Sequence, residues 1–212
     1  MVLYLDSAIV TEARVASKFG WISGVTTNPT LLAKSDLSPE ATLKELSEII
    51  SGELYYQLTA TSFDEMIAEG KAASKLIGHK IVLKIPATAT GFQATSHLSK
   101  NIDCSVTGIY HPAQAVVAAE TGAKYAIAYV NRATRLLGDG LKLVRDMAKV
   151  LEGSSTEILA ASVKSPDEAT ETLLAGAHHL TLPFSVLQTI TTHELSEKTF
   201  KEFNEKGRGI MY

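Results

Sequence analysis

The chain has 212 residues, 45% of them hydrophobic, and a formal net charge of −3 at pH 7. This length and composition fit one globular domain with a substantial core, and the scattered lysines and arginines argue against a face for nucleic acid. Cys104 is the single cysteine, which excludes an internal disulfide and a cysteine-built zinc site. No apolar run is long enough to span a bilayer and no signal-like segment follows Met1, so we expect a cytoplasmic protein without membrane contact.

Strand-like and helix-like patterns alternate along the chain. Short apolar or β-branched runs predict strands at 2–6, 21–27, 53–58, 80–85, 102–107, 125–130, 157–161 and 179–182. Apolar residues at helical spacing predict helices at 7–19, 41–50, 62–77, 91–100, 112–120, 136–151, 166–175 and 184–190. A turn is expected at Asn28-Pro29, and an amphipathic stretch at 195–203 ends the pattern.

Eight alternating units predict an α/β fold: a single-domain (β/α)8 barrel over residues 1–212, with a C-terminal helical extension from about residue 193. The alternative is an open doubly wound sheet, but the glycine-rich first turn of a dinucleotide-binding fold is missing after Asp6. In a (β/α)8 barrel the active site lies at the C-terminal ends of the strands, so the inward side chains there decide the function.

Lys84 interrupts the apolar run of the fourth predicted strand, near its C-terminal end. If Ile85 packs under the helices, Lys84 points into the barrel, since side chains alternate along a strand. Burial disfavours the ammonium form, and only a neutral amine attacks a carbonyl, so an inward Lys84 is a candidate Schiff-base nucleophile. The alternative is an edge-strand charge, or a lysine whose amine reaches water.

The same alternation brings polar side chains from other strands to the mouth of the barrel. We take as outward Val25, Leu58, Val106, Val130 and Ala161. The residues then expected to face inward are Asp6, Thr26, Asn28, Gln57, Thr107, Tyr129, Asn131 and Ser162. So many polar strand ends argue against a purely structural barrel, although a single bulge would reverse one of these assignments.

These residue types fit carbon–carbon bond chemistry at a polyhydroxy carbonyl compound. A lysine supplies an iminium as electron sink, aspartate and tyrosine carry protons, and amides and hydroxyls orient substrate or water, so no metal or other cofactor is needed. Arg132 and Ser162 could bind a phosphate group. Alternatively, Arg132 forms a surface ion pair and Asp6 caps the first helix. Cys104 is expected to pack in the core.

Five segments together resemble the transaldolase family, in particular its small fructose-6-phosphate aldolase-like branch. They are Leu3-Tyr4-Leu5-Asp6, Gly24-Val25-Thr26-Thr27-Asn28-Pro29, Val82-Leu83-Lys84-Ile85-Pro86, Tyr129-Val130-Asn131-Arg132 and Leu159-Ala160-Ala161-Ser162. The resemblance runs over essentially the whole chain and implies a (β/α)8 barrel with Lys84 as the Schiff-base lysine of a class I aldolase. It also implies that the substrate is a sugar phosphate, or dihydroxyacetone plus an aldehyde.

The resemblance also implies roles for other residues at the mouth. Asp6 corresponds to the acid/base that handles the substrate hydroxyl proton, and Asn28 to the residue that binds the dihydroxyacetone hydroxyls. Thr107 and Gln57 resemble the residues that hold the catalytic water.

A phosphate site is implied in the same way, with Arg132 and Ser162 as its pair of binding residues. We also expect Thr26 and Asn131 to contact the substrate. The chain departs from the branch at His111-Pro112, where small residues are usual, and at Arg135, which could add a second cation to the phosphate site.

Two positions separate the family's branches. True transaldolases tend to carry glutamate where this chain has Gln57 and phenylalanine where it has Tyr129. A phenol can protonate the dihydroxyacetone enamine and release it, whereas a ring without a hydroxyl favours keeping the enamine for an acceptor aldehyde. The expected function is therefore a fructose 6-phosphate aldolase, with a transaldolase as the alternative. A non-catalytic sugar-phosphate-binding barrel is the third hypothesis.

The family forms pentamer-based rings. The resemblance thus implies a homo-oligomer, a pentamer or a decamer, in which residues 195–203 pack on a neighbouring subunit. The alternative is that this segment covers its own barrel.

Overall fold

The computed structural model describes residues 1–210. Its centre is a closed barrel of eight parallel strands that pair in chain order, with the last strand closing onto the first. The strands are β1 (Leu3–Asp6), β2 (Ile22–Thr26), β3 (Glu53–Gln57), β4 (Ile81–Pro86), β5 (Cys104–Ile109), β6 (Tyr125–Tyr129), β7 (Glu157–Ala161) and β8 (His179–Leu182). The predicted (β/α)8 barrel is confirmed.

Helices follow the strands, and all but the last pack against the outer face of the barrel. They are α1 (Val10–Ala16), α2 (Pro29–Leu32), α3 (Pro39–Ile49), α4 (Phe63–Ile77), α5 (Ala89–Leu98), α6 (Pro112–Glu120), α7 (Val130–Leu137), α8 (Gly140–Val150), α9 (Pro166–Leu174), α10 (Phe184–Thr189) and α11 (Glu194–Lys206). Polar caps mark several starts: Ser38, Ser62 and Ser165 accept hydrogen bonds from first-turn N–H groups of α3, α4 and α9. These caps are why the patterns locate the helices well.

Two connections differ from the predictions. Asn28-Pro29 is not a free turn, because the Asn28 side chain accepts a hydrogen bond from a backbone N–H of α2 and so begins that helix. The helix predicted at 136–151 is instead two helices, α7 and α8. They are separated by Gly138, whose φ of 92° ends α7, and by Asp139, whose side chain caps α8.

Strand alternation misplaces two residues. Because β6 ends at Tyr129, Asn131 lies on α7, and its side-chain amide donates to Glu168 Oε1 on α9 at 3.2 Å. Ala161, predicted to face outward, lies in the barrel interior and pairs in register with Tyr129. Ser162 follows in the left-handed region with a φ of 60°, so alternation does not determine the direction of its side chain.

Mostly large side chains fill the barrel interior. They are Tyr4, Tyr55, Val82, Tyr125, Ile127, Leu159 and Ala161. A second, larger apolar layer lies between the strands and the helices and includes Leu5, Val25, Leu83, Ile85 and Val106. The first of these clusters fills the inside of the barrel, and the polar strand ends lie at its C-terminal edge.

At the N-terminal end of the barrel, three phenols converge on Glu53. Tyr4 and Tyr55 donate to Glu53 Oε2 at 2.7 and 2.8 Å, and Tyr125 donates at 3.2 Å. Lys124 Nζ lies 2.7 Å from Glu53 Oε1. Burial opposes ionisation of Glu53, but the hydrogen bonds from Lys124, Tyr4 and Tyr55 outweigh it and hold the pKa of this carboxyl below its usual value.

The last helix, α11, lies outside this packing. None of its residues is buried, and Leu195, Phe200 and Phe203 are each more than 60% exposed. The alternative that this segment covers its own barrel is therefore wrong. Within residues 1–210, no helix is long and apolar enough to cross a membrane.

Candidate active site

Lys84 lies on β4, two residues before the end of that strand, and is only 2% exposed. Its Nζ donates a hydrogen bond to the backbone carbonyl oxygen of Thr27 at 2.9 Å. A closed barrel has no edge strand, and the amine does not reach bulk water, so both structural alternatives for Lys84 are wrong. The structure thus holds a primary amine inside the barrel, near the C-terminal ends of the strands.

Asp6 is the last residue of β1, and its Oδ1 accepts a hydrogen bond from Thr26 Oγ1 at 2.8 Å. Burial raises the pKa of the Asp6 carboxyl above its usual value, and the positive charge of Lys84 and the Thr26 hydrogen bond oppose that rise. Asp6 does not cap α1, because the N-cap residue is Ile9 and it makes no side-chain cap bond. Asp6 is therefore a carboxyl group under the influence of the buried amine.

Thr107 and Tyr129 meet across neighbouring strands. Thr107 Oγ1 donates to Tyr129 Oη at 2.9 Å, which leaves the phenol hydrogen free for another acceptor. The guanidinium of the exposed Arg132 lies 5.3 Å from the centroid of the Tyr129 ring. Among residues 1–210 Arg132 makes no ion pair, so the surface ion-pair alternative for it is wrong.

Gln57 ends β3 and pairs in register with Lys84. Its Oε1 is buried and has no hydrogen-bond partner among the described residues. A buried acceptor of this kind is costly unless a water or a ligand donates to it. The arrangement fits a water molecule or a ligand hydroxyl that lies beside the Lys84 amine and donates to Gln57 Oε1.

Asn28 follows β2 at the same end of the barrel and is partly buried. Its Oδ1 is already used, since it accepts the N–H of Leu31 at 3.0 Å. Its Nδ2 group has two hydrogens to donate, and its Oδ1 keeps one further lone pair. A ligand that contacts Asn28 is expected to offer it an oxygen.

Ser162 lies just beyond β7, and its backbone oxygen accepts the N–H of Asn131 at 3.1 Å. Ser162 is the one non-glycine residue with positive φ within residues 1–210. This backbone hydrogen bond joins the start of α7, which carries Arg132, to the end of β7. The Asn131 side chain bonds to Glu168 on α9. Its position therefore does not support the expectation that it contacts the substrate.

Three residues near Asp6 were not found by the sequence patterns. Thr181 on β8 is 1% exposed and lies 2.6 Å from Thr26, measured between their Oγ1 atoms. Lys34 and Lys164, from the connections after α2 and β7, each favour the ionised form of Asp6. Alternation from Leu182 would have placed Thr181 inward, and this signal was present in the sequence.

The two departures from the family pattern have separate outcomes. His111 caps α6: its Nδ1 accepts the N–H of Ala113, and Gln114 completes a capping box. Arg135 lies on α7 and is exposed. Cys104 packs in the core as predicted, and burial raises the pKa of its thiol to about 12.

The chain is similar to proteins of one family along nearly its whole length. Residues 3–209 match the family described as Transaldolase/Fructose-6-phosphate aldolase. A protein named "Probable transaldolase" from Symbiobacterium thermophilum is 37% identical over 207 residues, which cover 96% of this chain and 95% of that protein. Another so named, from Clostridium perfringens, is 36% identical over 209 residues, covering 97% and 96%.

Solved structures with the same barrel are more distant. A mandelate oxidase variant with the monooxide FMN adduct has a TM-score of 0.65 at 14% identity, covering 95% of this chain and 74% of that one. Another mandelate oxidase variant, with 2-hydroxy-phenylacetamide, has a TM-score of 0.62 at 13% identity, covering 86% of this chain and 64% of that one. At such identities the likeness extends to the fold alone.

Proposed function

Because this chain belongs to the Transaldolase/Fructose-6-phosphate aldolase family, we propose that it makes and breaks a carbon–carbon bond through a Schiff base on Lys84. The observation that carries the proposal is the buried amine at the mouth, 2% exposed and bonded to the Thr27 carbonyl at 2.9 Å. A buried amine without an ion pair in the described part of the chain is costly as a structural element, which supports a chemical role.

In the proposed reaction the Lys84 amine attacks the ketone carbon of the substrate, and water leaves to give an iminium. The Asp6 carboxylate takes the proton from the hydroxyl on the far carbon of the bond that breaks. The electron pair of that bond moves into the iminium to give an enamine, and the far half leaves as an aldehyde. The raised pKa of the Asp6 carboxyl suits such a proton exchange.

The proposed substrate is fructose 6-phosphate, split into dihydroxyacetone and glyceraldehyde 3-phosphate. The Nδ2 group of Asn28 would donate to a dihydroxyacetone oxygen, while its Oδ1 caps α2. Arg132 and Ser162 would bind the phosphate, assisted by the positive charge of Lys164 two residues further on. Three cationic or polar groups, at the start of α7 and just after β7, favour an anionic substrate.

The fate of the enamine distinguishes an aldolase from a transaldolase. The free phenol hydrogen of Tyr129 and the unpartnered Oε1 of Gln57 support a water held where it can protonate the enamine. Proton delivery to the enamine followed by hydrolysis releases dihydroxyacetone, so this geometry favours the aldolase.

The transaldolase is the second candidate. Curated relatives at 36% and 37% identity carry the name "Probable transaldolase", which supports transfer of the three-carbon unit to a second sugar phosphate. In that reaction the enamine persists until it attacks an acceptor aldehyde, and its protonation is a minor competing reaction.

Turnover of fructose 6-phosphate with and without erythrose 4-phosphate tests both candidates. We expect many equivalents of glyceraldehyde 3-phosphate per subunit without the acceptor. Release of a single equivalent, becoming catalytic only when erythrose 4-phosphate is added, would replace the aldolase with the transaldolase. No release under either condition, in a folded chain, would refute both.

The exposed face of α11 supports an oligomer, a pentamer or decamer as the resemblance implies. Leu195, Phe200 and Phe203 would pack on another copy of the chain, because exposed large apolar side chains on one helix favour association. Light scattering of the intact chain and of a Phe200→Ser, Phe203→Ser variant measures this. A monomeric intact chain would contradict it.

A further inference from the structure

Two buried hydroxyls form a chain that ends on Asp6. The strand β1, which carries Asp6, pairs with β2 on one side and β8 on the other. Thr26 on β2 lies 2.8 Å from Asp6 Oδ1, and Thr181 on β8 lies 2.6 Å from Thr26, measured between hydroxyl oxygens. Thr26 and Thr181 are 0% and 1% exposed, so water does not compete for these hydrogen bonds.

The number of hydrogens decides the direction of this chain. Each threonine hydroxyl has one hydrogen to donate. When Thr26 gives its hydrogen to Asp6 Oδ1, the contact between the threonines can be filled only by the hydrogen of Thr181. The opposite direction would turn a lone pair of Thr26 toward the Asp6 carboxylate. The ionised state of Asp6 therefore matches one order, from Thr181 to Thr26 to Asp6.

We propose that Thr181 is a positioning residue: it orients the Thr26 hydroxyl toward Asp6 Oδ1, which leaves Oδ2 as the atom that takes the proton from the substrate. This inference deepens the proposed function and rests on it. In the described part of the chain the Thr181 hydroxyl bonds to Thr26 and not to Asp6 or Lys84, so it acts on Asp6 through Thr26. The donor is supplied by the strand that closes the barrel, so the arrangement needs the complete fold.

Three lysines also act on Asp6, but through their charge and not through a hydrogen bond. Lys84 from β4, Lys34 after α2 and Lys164 after β7 all favour the ionised carboxylate through their charge. They remain in place when Thr181 is changed. A substitution at Thr181 therefore changes the polarisation of the Thr26 hydroxyl and leaves the charges around Asp6 as they were.

Carbon-13 NMR of the aspartate side-chain carboxyls, with Asp6 identified from an Asp6→Asn chain, measures the midpoint of Asp6 protonation without any turnover. Thr26→Val deletes the direct donor, and we expect the midpoint to rise by about one pH unit. Thr181→Val deletes only the second hydroxyl, and we expect a rise of about 0.3 unit, the share that hydrogen-bond cooperativity contributes. Thr181→Ser keeps a hydroxyl and should restore the intact chain's midpoint.

Thr95→Val is the matched control, since Thr95 is also fully buried but its hydroxyl bonds only to the Gly91 carbonyl within α5. It should leave the Asp6 midpoint unchanged. If Thr181→Val does not fold, Thr181→Ala removes the same hydroxyl without the extra methyl and replaces it in the comparison. An unchanged midpoint in a folded Thr181→Val or Thr181→Ala chain would overturn the proposal.

The pH profile of activity separates this inference from the proposed function. In Thr181→Val the acid limb of kcat/KM should move to higher pH with the NMR midpoint, and Thr181→Ser should move it back. A shifted NMR midpoint in chains that show no aldol cleavage would refute the proposed function and leave the hydrogen-bond chain standing. A shifted midpoint with an unmoved acid limb in an active chain would overturn the role of Thr181 in positioning the base.

Discussion

Tyr129→Phe removes one oxygen atom and tests how the enamine is released. Tyr129 Oη accepts the Thr107 hydroxyl at 2.9 Å and keeps its own hydrogen free, so it is placed to deliver a proton. Loss of a general acid lowers the rate of its step by about 100-fold to 10,000-fold. Loss of the Thr107 partner costs about 1 kcal/mol of stability, which a folded barrel tolerates.

The bond-breaking step uses Lys84 and Asp6, which the substitution leaves in place. We therefore expect the release of free dihydroxyacetone to fall by about 100-fold or more, while transfer to erythrose 4-phosphate falls by less than about 5-fold. The ratio of transferred to released three-carbon unit should rise at least about 20-fold, as the quotient of those two estimates.

The assay follows both products from fructose 6-phosphate in one reaction, by enzymatic coupling or by chromatography of labelled sugar. Tyr125→Phe is the matched control, because it deletes a phenol oxygen at the opposite end of the barrel, where Tyr125 bonds to Glu53. Its product ratio should equal that of the intact chain. An unchanged ratio in Tyr129→Phe would refute the role of this phenol in enamine release.

Three further predictions concern the barrel itself and the absence of a metal requirement. Glu53→Gln should lower the free energy of unfolding at pH 7 by about 2 kcal/mol, because it weakens charge-assisted bonds from Lys124 and two phenols. Since the folded state lowers the pKa of Glu53, its contribution is present in full above the unfolded value near 4.3 and is lost as the pH falls through the folded value. Denaturant titrations should therefore show the full difference between the two chains at pH 7 and a shrinking difference as the pH falls below about 4. Gly24→Ala should destabilise the chain by more than about 2 kcal/mol in thermal unfolding, because its Cβ would lie 2.1 Å from the Glu53 carbonyl oxygen. Dialysis against EDTA should leave the turnover rate unchanged, and a loss restored by a divalent metal would contradict the proposed chemistry.

The barrel and its strand order follow from local patterns in the sequence. Strands such as β4 read as apolar runs of the right length, and helices such as α4 start at a serine cap. Lys84, Asp6, Gln57 and Thr107 were placed at one mouth by alternation along their strands, and Gln57 and Lys84 pair directly in register. Alternation was sufficient on β3 and β4, which pair in register up to Gln57 and Lys84, but it assigned Ala161 at the end of β7 to the wrong face.

Prediction fails where a strand ends early or leaves its regular geometry. α7 starts directly after Tyr129 without a side-chain cap, and the β-branched Val130 makes the segment read as more strand. Alternation therefore predicted that Asn131 faces into the barrel, but alternation does not apply to a residue in a helix. Ser162 has a left-handed backbone conformation that no local pattern of serine predicts.

Contacts between residues far apart in the sequence are the second feature that the sequence patterns did not predict. The bond between Thr26 and Thr181 joins residues 155 positions apart and exists only because β8 closes onto β1. His111 was read as a departure near the site, whereas the folded chain uses it as a helix cap. Both roles depend on neighbours that the sequence does not name.

The central claim is that Lys84 forms the Schiff base, and borohydride trapping tests it most directly. Fructose 6-phosphate is added with sodium borohydride, the chain is digested, and the peptides are mapped by mass. We predict a single reduced three-carbon adduct on Lys84. A folded Lys84→Met chain should lack this adduct and should have lost cleavage activity. The control Lys142→Met, which removes an exposed lysine on α8, should still carry the adduct on Lys84. An adduct on another lysine, or near-normal turnover in Lys84→Met, would contradict the account.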